Sequence, residues 1–134
     1  MRGRKPATIN PGTSSVEKVP APPAWLSKDA KAEWKRVAPI LINERRTLTI
    51  ADLSMLANYC TAVGQVAEAA RIVSKEGLTV ASPTGPKKHP AVAIRSDGMT
   101  QARQIAAELG LTPASRSRPA MRDNDDEDAS GLDL

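Results

Sequence analysis

The chain has 134 residues, with 11 prolines, one cysteine, one histidine, no phenylalanine and only Trp25, Trp34 and Tyr59 as aromatics. A lone cysteine excludes an internal disulfide framework and a cysteine-based zinc site, and a lone histidine excludes a histidine-rich metal cluster. Net charge is +4 overall, but six acids and no base follow Arg122, so residues 1–122 set 19 bases against 9 acids, a net of +10.

Residues 1–24 hold Pro6, Pro11, Pro20, Pro22 and Pro23 with few apolar side chains to offset ordering entropy, so they read as a loose, basic, proline-rich arm. The first helix is expected to start at Ser27, a good N-cap, with Asp29 where the helix dipole favours an anion. Trp34, Val37, Ala38, Leu41 and Ile42 share one face, and Pro39 predicts a kink or break. Lys28, Lys31, Lys35 and Arg36 occupy the opposite face.

Thr49 and Asp52 form a near capping box that opens a second helix, with Gly77 as its stop. Leu53, Leu56, Cys60, Val63, Ala67 and Ala70 recur at steps of 3 and 4 and make a heptad seam. Leu78-Thr79-Val80 followed by Pro83-Thr84-Gly85-Pro86 predicts a short β-hairpin or an ordered loop. Pro90 suits the first turn of a third helix, which Gly110 ends. Val92, Met99, Ala102, Ala106 and Leu109 mark its apolar face, with Ile105 beside them, and Gly98 weakens its middle. Thr112 as cap and Pro113 as first residue start a further short helix that Pro119 ends, and residues 119–134 read as a loose acidic tail.

The expected fold is therefore an all-α domain over residues 25–118, built from a long antiparallel helical hairpin, a crossing N-terminal helix and a small β-hairpin or ordered loop, with flexible termini. A core of this size without phenylalanine is thin. The seam residues Leu53, Leu56, Cys60, Val63, Ala67 and Ala70 are expected to pack between subunits of a homo-oligomer, with packing inside one chain as the alternative. No apolar run is long enough to span a membrane, and no apolar N-terminal stretch marks a secretory signal, so a cytoplasmic protein is expected.

A basic body carrying an acidic run points to a polyanionic partner, nucleic acid foremost, against the plainer reading of a solvated surface. The candidate DNA contacts are Arg2, Arg4 and Lys5 in an arginine–glycine arm, Lys31, Lys35 and Arg36 on the first helix, Lys87 and Lys88 on the hairpin, and Arg116, Arg118 and Arg122. The arm either enters an A·T minor groove or makes unspecific phosphate contacts. His89 reads as a surface histidine or a phosphate contact, and Cys60 as core rather than nucleophile. No phosphate-cradling loop and no catalytic constellation stand out, so no metal, cofactor or enzymatic role is expected.

Gly110-Leu111-Thr112-Pro113-Ala114-Ser115-Arg116-Ser117-Arg118 resembles the signature near the end of phage terminase small subunits. The basic opening Arg2-Gly3-Arg4-Lys5-Pro6 agrees, as do Pro22-Pro23-Ala24-Trp25-Leu26-Ser27 followed by Ala30 and Trp34. Leu48-Thr49 with Asp52, Tyr59-Cys60, Gly77, Gly85 and His89-Pro90 also fall in the family's order. The resemblance runs to about residue 118 and leaves the acidic tail outside it. It implies a non-catalytic subunit, in the host cytoplasm, that recognises double-stranded viral DNA at the start of packaging. Such subunits form a ring and regulate a large subunit holding the ATPase and nuclease. The alternative is a phage-encoded dimeric DNA-binding regulator or nucleoid-type protein, although no compact helix-turn-helix is evident.

Overall fold

Three amphipathic helices and the turns between them build the fold. The computed structural model describes residues 15–116. Helix α1 spans Lys28–Pro39, α2 Leu53–Glu76 and α3 Pro90–Glu108, and an antiparallel ribbon of β1 (Thr79–Val80) and β2 (Lys87–Lys88) joins α2 to α3. Thr79 faces Lys88 and Val80 faces Lys87 across the ribbon. The all-α class and the small hairpin expected from the sequence are both present.

Ser27 caps α1 as expected, its Oγ accepting from the Ala30 N–H at 3.2 Å. The α-helix ends at Pro39, which has no N–H to give the ladder. The chain then widens into a π turn, Ile40–Glu44, closed by the Arg45 N–H on the Ile40 carbonyl at 2.9 Å. That turn keeps Leu41 and Ile42 both inside the core. Arg46, at φ +53°, then reverses the chain, and the Thr47 N–H returns to the Leu41 carbonyl at 3.0 Å. The Thr49 N–H and hydroxyl both donate to Asp52 Oδ2, at 3.0 and 2.8 Å, and a 3-10 turn over Ile50–Asp52 leads into α2. Gly77, at φ +92°, ends α2 in a conformation closed to side chains with a Cβ.

α2 is the middle helix, with α1 and α3 both running against it in the opposite sense. Its glycines set the spacing. A Cβ on Gly64 would sit 2.8 Å from Ser27 Oγ and 3.0 Å from the Ala30 nitrogen of α1. A Cβ on Gly98 of α3 would sit 2.8 Å from Val66 Cγ2 and 3.2 Å from the Ala62 carbonyl oxygen of α2. Gly98 is thus a close-approach residue between two helices, where the sequence suggested only a weak point in one.

The main core gathers Trp34, Val37 and Leu41 of the α1 side with Leu56, Tyr59 and Cys60 of α2. A smaller cluster, Ala69, Val73 and Ala91, lies toward the ribbon. The heptad seam is taken up largely within the chain. Leu56 and Cys60 are fully buried in the core of their own chain, which corrects their expected place at a subunit interface. Leu53 and Val63 pack half-buried against the same core, and Ala67 and Ala70 are half-buried. The reason is that a middle helix needs two apolar stripes, one for each neighbour. On α3 the buried residues are Ala91 and Gly98, while Met99 is 52% exposed and lies off the packed face expected for it. Residues 15–24 are also tied down, unlike the loose arm expected. The Val16 N–H donates to the Leu48 carbonyl at 3.1 Å and Trp34 Nε1–H to the Pro20 carbonyl at 2.9 Å.

Candidate nucleic-acid interface

Lys28, Lys31 and Lys35 lie at i, i+3 and i+7 on α1, opposite the face that carries Ala30, Trp34, Val37 and Leu41 into the core. None of the three is in a salt bridge among the described residues. They form a stripe of ammonium groups along one helix. Arg36 differs. Its Nε and Nη2 donate to the two Glu33 carboxylate oxygens at 2.8 and 2.6 Å. Glu33 also accepts from the Tyr59 hydroxyl at 2.6 Å. Burial works to raise the Glu33 pKa, but the hydrogen bonds from Arg36 and Tyr59 outweigh it and hold the carboxyl below its ordinary value. Burial and the Glu33 carboxylate push the Tyr59 hydroxyl up, so it stays protonated and donates. Arg36 therefore serves the α1–α2 contact first.

At the far end of α3 a groove of about 640 Å³ opens between the turn before α2 and the residues after α3. Leu48 is buried and Met55 and Leu109 half-buried along it, with Arg45 and Arg116 exposed. Thr112 and Ser115 cap one another there. The Ser115 N–H donates to Thr112 Oγ1 at 3.1 Å and the Thr112 N–H to Ser115 Oγ at 3.2 Å. Arg116 Nη1 donates to the Leu111 carbonyl at 3.1 Å, and Arg45 Nη1 to the Gly110 carbonyl at 2.6 Å. Each guanidinium donates to one backbone carbonyl and carries five N–H donors in all, more than that one contact uses. Arg45 was not singled out by the sequence. Its signal was the Arg45-Arg46 pair in a turn just before a capping box.

Lys87 and Lys88 constitute β2 and are exposed. They lie at the opposite end of α2 from Arg116, which at 1.5 Å per residue is roughly 36 Å away. The basic residues thus fall in three places and not in one patch. Arg2, Arg4, Lys5, Arg118 and Arg122 lie outside the described residues. His89 corrects its surface reading, being only 8% exposed. Its Nδ1 accepts from the Ala91 N–H at 3.0 Å, capping α3, and its Nε2 meets Glu76 Oε1 at 2.9 Å. Burial, then the nearby Glu33 charge, push the Cys60 thiol up to about 12, which keeps it neutral and inert. Among the described residues no group of His, Cys, Asp and Glu is arranged to hold a metal ion.

A family model described as phage terminase, small subunit, matches residues 30–126. The chain belongs to the phage terminase small subunit family. No curated protein and no solved structure matches it. The match takes in α1 from Ala30 on, the whole of α2 and α3 of this terminase small subunit, its groove and the first acids of the tail. The Gly110–Arg116 segment that carried the resemblance is here a capped turn that fixes where Arg45 and Arg116 stand. No helix of the described residues is long and apolar enough to cross a membrane.

Proposed function

We propose that this terminase small subunit is the non-catalytic DNA-recognition and regulatory component of a viral genome-packaging motor. In this reading it binds duplex DNA, self-associates into a ring and acts beside a large subunit holding the ATPase and nuclease. The observation that carries the reading is the stripe of Lys28, Lys31 and Lys35, exposed or half-exposed and in no salt bridge among the described residues, on a body of net +10. A row of ammonium groups at helical spacing suits a phosphate backbone, which requires charge more than base-reading geometry. The Arg2, Arg4, Lys5 arm, Lys87 and Lys88, and the Arg116, Arg118, Arg122 segment extend the contact. Self-association has exposed apolar side chains to bury, Trp25, Ile94 and Met99 among them.

Fluorescence anisotropy with a labelled duplex across a salt series tests the DNA reading. Affinity is expected to fall steeply with salt, and replacing Lys28, Lys31 and Lys35 together by Ala should reduce the slope of log K against log salt by about 3, at roughly 0.9 per phosphate contact. Absence of binding in dilute buffer overturns it. Mass measured in solution tests the ring: a many-subunit assembly is expected, and a dimer at micromolar concentration favours the regulator reading.

A further inference from the structure

We infer that the acidic run beyond Arg122 docks in the groove at the end of α3 of its own chain, with Leu132 and Leu134 on the apolar floor and its carboxylates on Arg45 and Arg116. Three independent features meet at that groove. The first is its chemistry. Buried Leu48 and half-buried Met55 and Leu109 line one part, and two arginines held by the Gly110 and Leu111 carbonyls line another. Neither arginine is in a salt bridge among the described residues. The second is complementarity. The sequence Asp123-Asn124-Asp125-Asp126-Glu127-Asp128-Ala129-Ser130-Gly131-Leu132-Asp133-Leu134 pairs an acidic stretch with two leucines close together, the same two chemistries in one segment.

The third is connectivity. Arg116, the last described residue, itself lines the groove. Asp123 follows seven residues later, a reach of at most about 25 Å, so the acids can return to the arginines without strain. A groove of about 640 Å³ holds a few side chains of one segment and not a folded domain. Tethering raises the local concentration of such a segment to the millimolar range, so modest contacts suffice. Two acids also line the groove. Asp52 is engaged by Thr49, and exposed Glu108 is a like charge that the contacts to Arg45 and Arg116 must outweigh. Docking covers Arg116, so DNA phosphates and the tail compete for it. The docking itself does not depend on the packaging reading.

Methionine-methyl NMR on the full chain, without DNA, tests this. Met55 lies in the groove, while Met99 is exposed on α3 and serves as the control. One variant neutralises the run by Asp123→Asn, Asp125→Asn, Asp126→Asn, Glu127→Gln and Asp128→Asn; a second carries Leu132→Ser and Leu134→Ser. In both, the Met55 methyl resonance is expected to move by more than its linewidth while Met99 stays in place. An unmoved Met55 overturns the proposal, and so does equal movement of Met99. Labelled neutral-tail chain is then mixed with excess unlabelled native chain. Return of Met55 to its native position means that a neighbour's tail fills the groove and overturns docking within one chain, while an unchanged position supports it. All these substitutions lie beyond the described residues, and no outcome bears on whether DNA binds.

Discussion

Glu33 is the residue on which α1 and α2 agree. It is a nearly buried carboxylate that accepts from Arg36 of its own helix and from Tyr59 of the next. Breaking a charged hydrogen-bond set of this kind costs about 2 kcal/mol, so Glu33→Gln is expected to lower the melting temperature at neutral pH. The pH dependence has a definite sign. The folded carboxyl is held below its ordinary value, so on acidification the unfolded chain takes up the proton first. The stability Glu33 contributes is complete above the ordinary carboxylate range, about 4.3, and is lost as pH falls through the folded value. Melting curves from pH 6 to 3 should therefore show the native chain losing more than Glu33→Gln, the two converging in acid; parallel curves would refute the assignment. Cys60 gives a second test. With its thiol pushed up to about 12 and no exposed surface, it is expected to resist a disulfide reagent in the native state and to react at once in denaturant.

At the scale of elements, local signals were legible because they are local. Ser27, the Thr49–Asp52 pair, Gly77 and Pro90 each act within one turn, and each marks a helix end in the structure. The π turn after Pro39 was not legible beyond a break, since its width depends on seating both Leu41 and Ile42 in the core. The close approach at Gly98 was hidden for a related reason: helix propensity is visible in one helix, whereas close approach needs the second. The distinction is measurable. Propensity alone makes Gly→Ala in a helix favourable by about 1 kcal/mol. Here a Cβ on Gly64 would press on the Ala30 backbone nitrogen at 3.0 Å, and one on Gly98 on the Ala62 carbonyl oxygen at 3.2 Å. Gly64→Ala and Gly98→Ala are therefore each expected to destabilise by about 1–3 kcal/mol in chemical denaturation, the cost of overpacking. A gain in stability at either site would mean that the helices can separate freely.

For the whole molecule, the heptad seam shows what a one-dimensional pattern conceals. Periodicity identified Leu56 and Cys60 as apolar-face residues, but whether a face meets its own chain or another depends on how many helices flank it. With α1 and α3 on both sides, α2 buries them internally. The lysine stripe was legible because exposure follows directly from being opposite the apolar face. The groove was not, because Arg45 and Arg116 are 71 positions apart in sequence and meet only when α3 returns to the start of α2. The same arrangement makes the core uneven along α2. Around Trp34, Leu41, Leu56 and Cys60 the buried cluster is wide, whereas toward the ribbon it narrows to Ala69, Val73 and Ala91, small side chains with little area to bury. Local opening free energy follows buried apolar contact, so opening should be graded along the bundle. Amide hydrogen exchange is expected to be slowest in Val37–Leu41 and Leu56–Cys60, and faster by tenfold or more in the last turns of α2 and the first of α3. His89 resists that opening through its cap on Ala91 and its contact with Glu76, so His89→Ala should accelerate exchange at the ribbon end and leave the Leu56–Cys60 amides unchanged. Uniform acceleration would show that the two clusters unfold as one unit, and that the ribbon carrying Lys87 and Lys88 is as firmly held as the lysine stripe of α1.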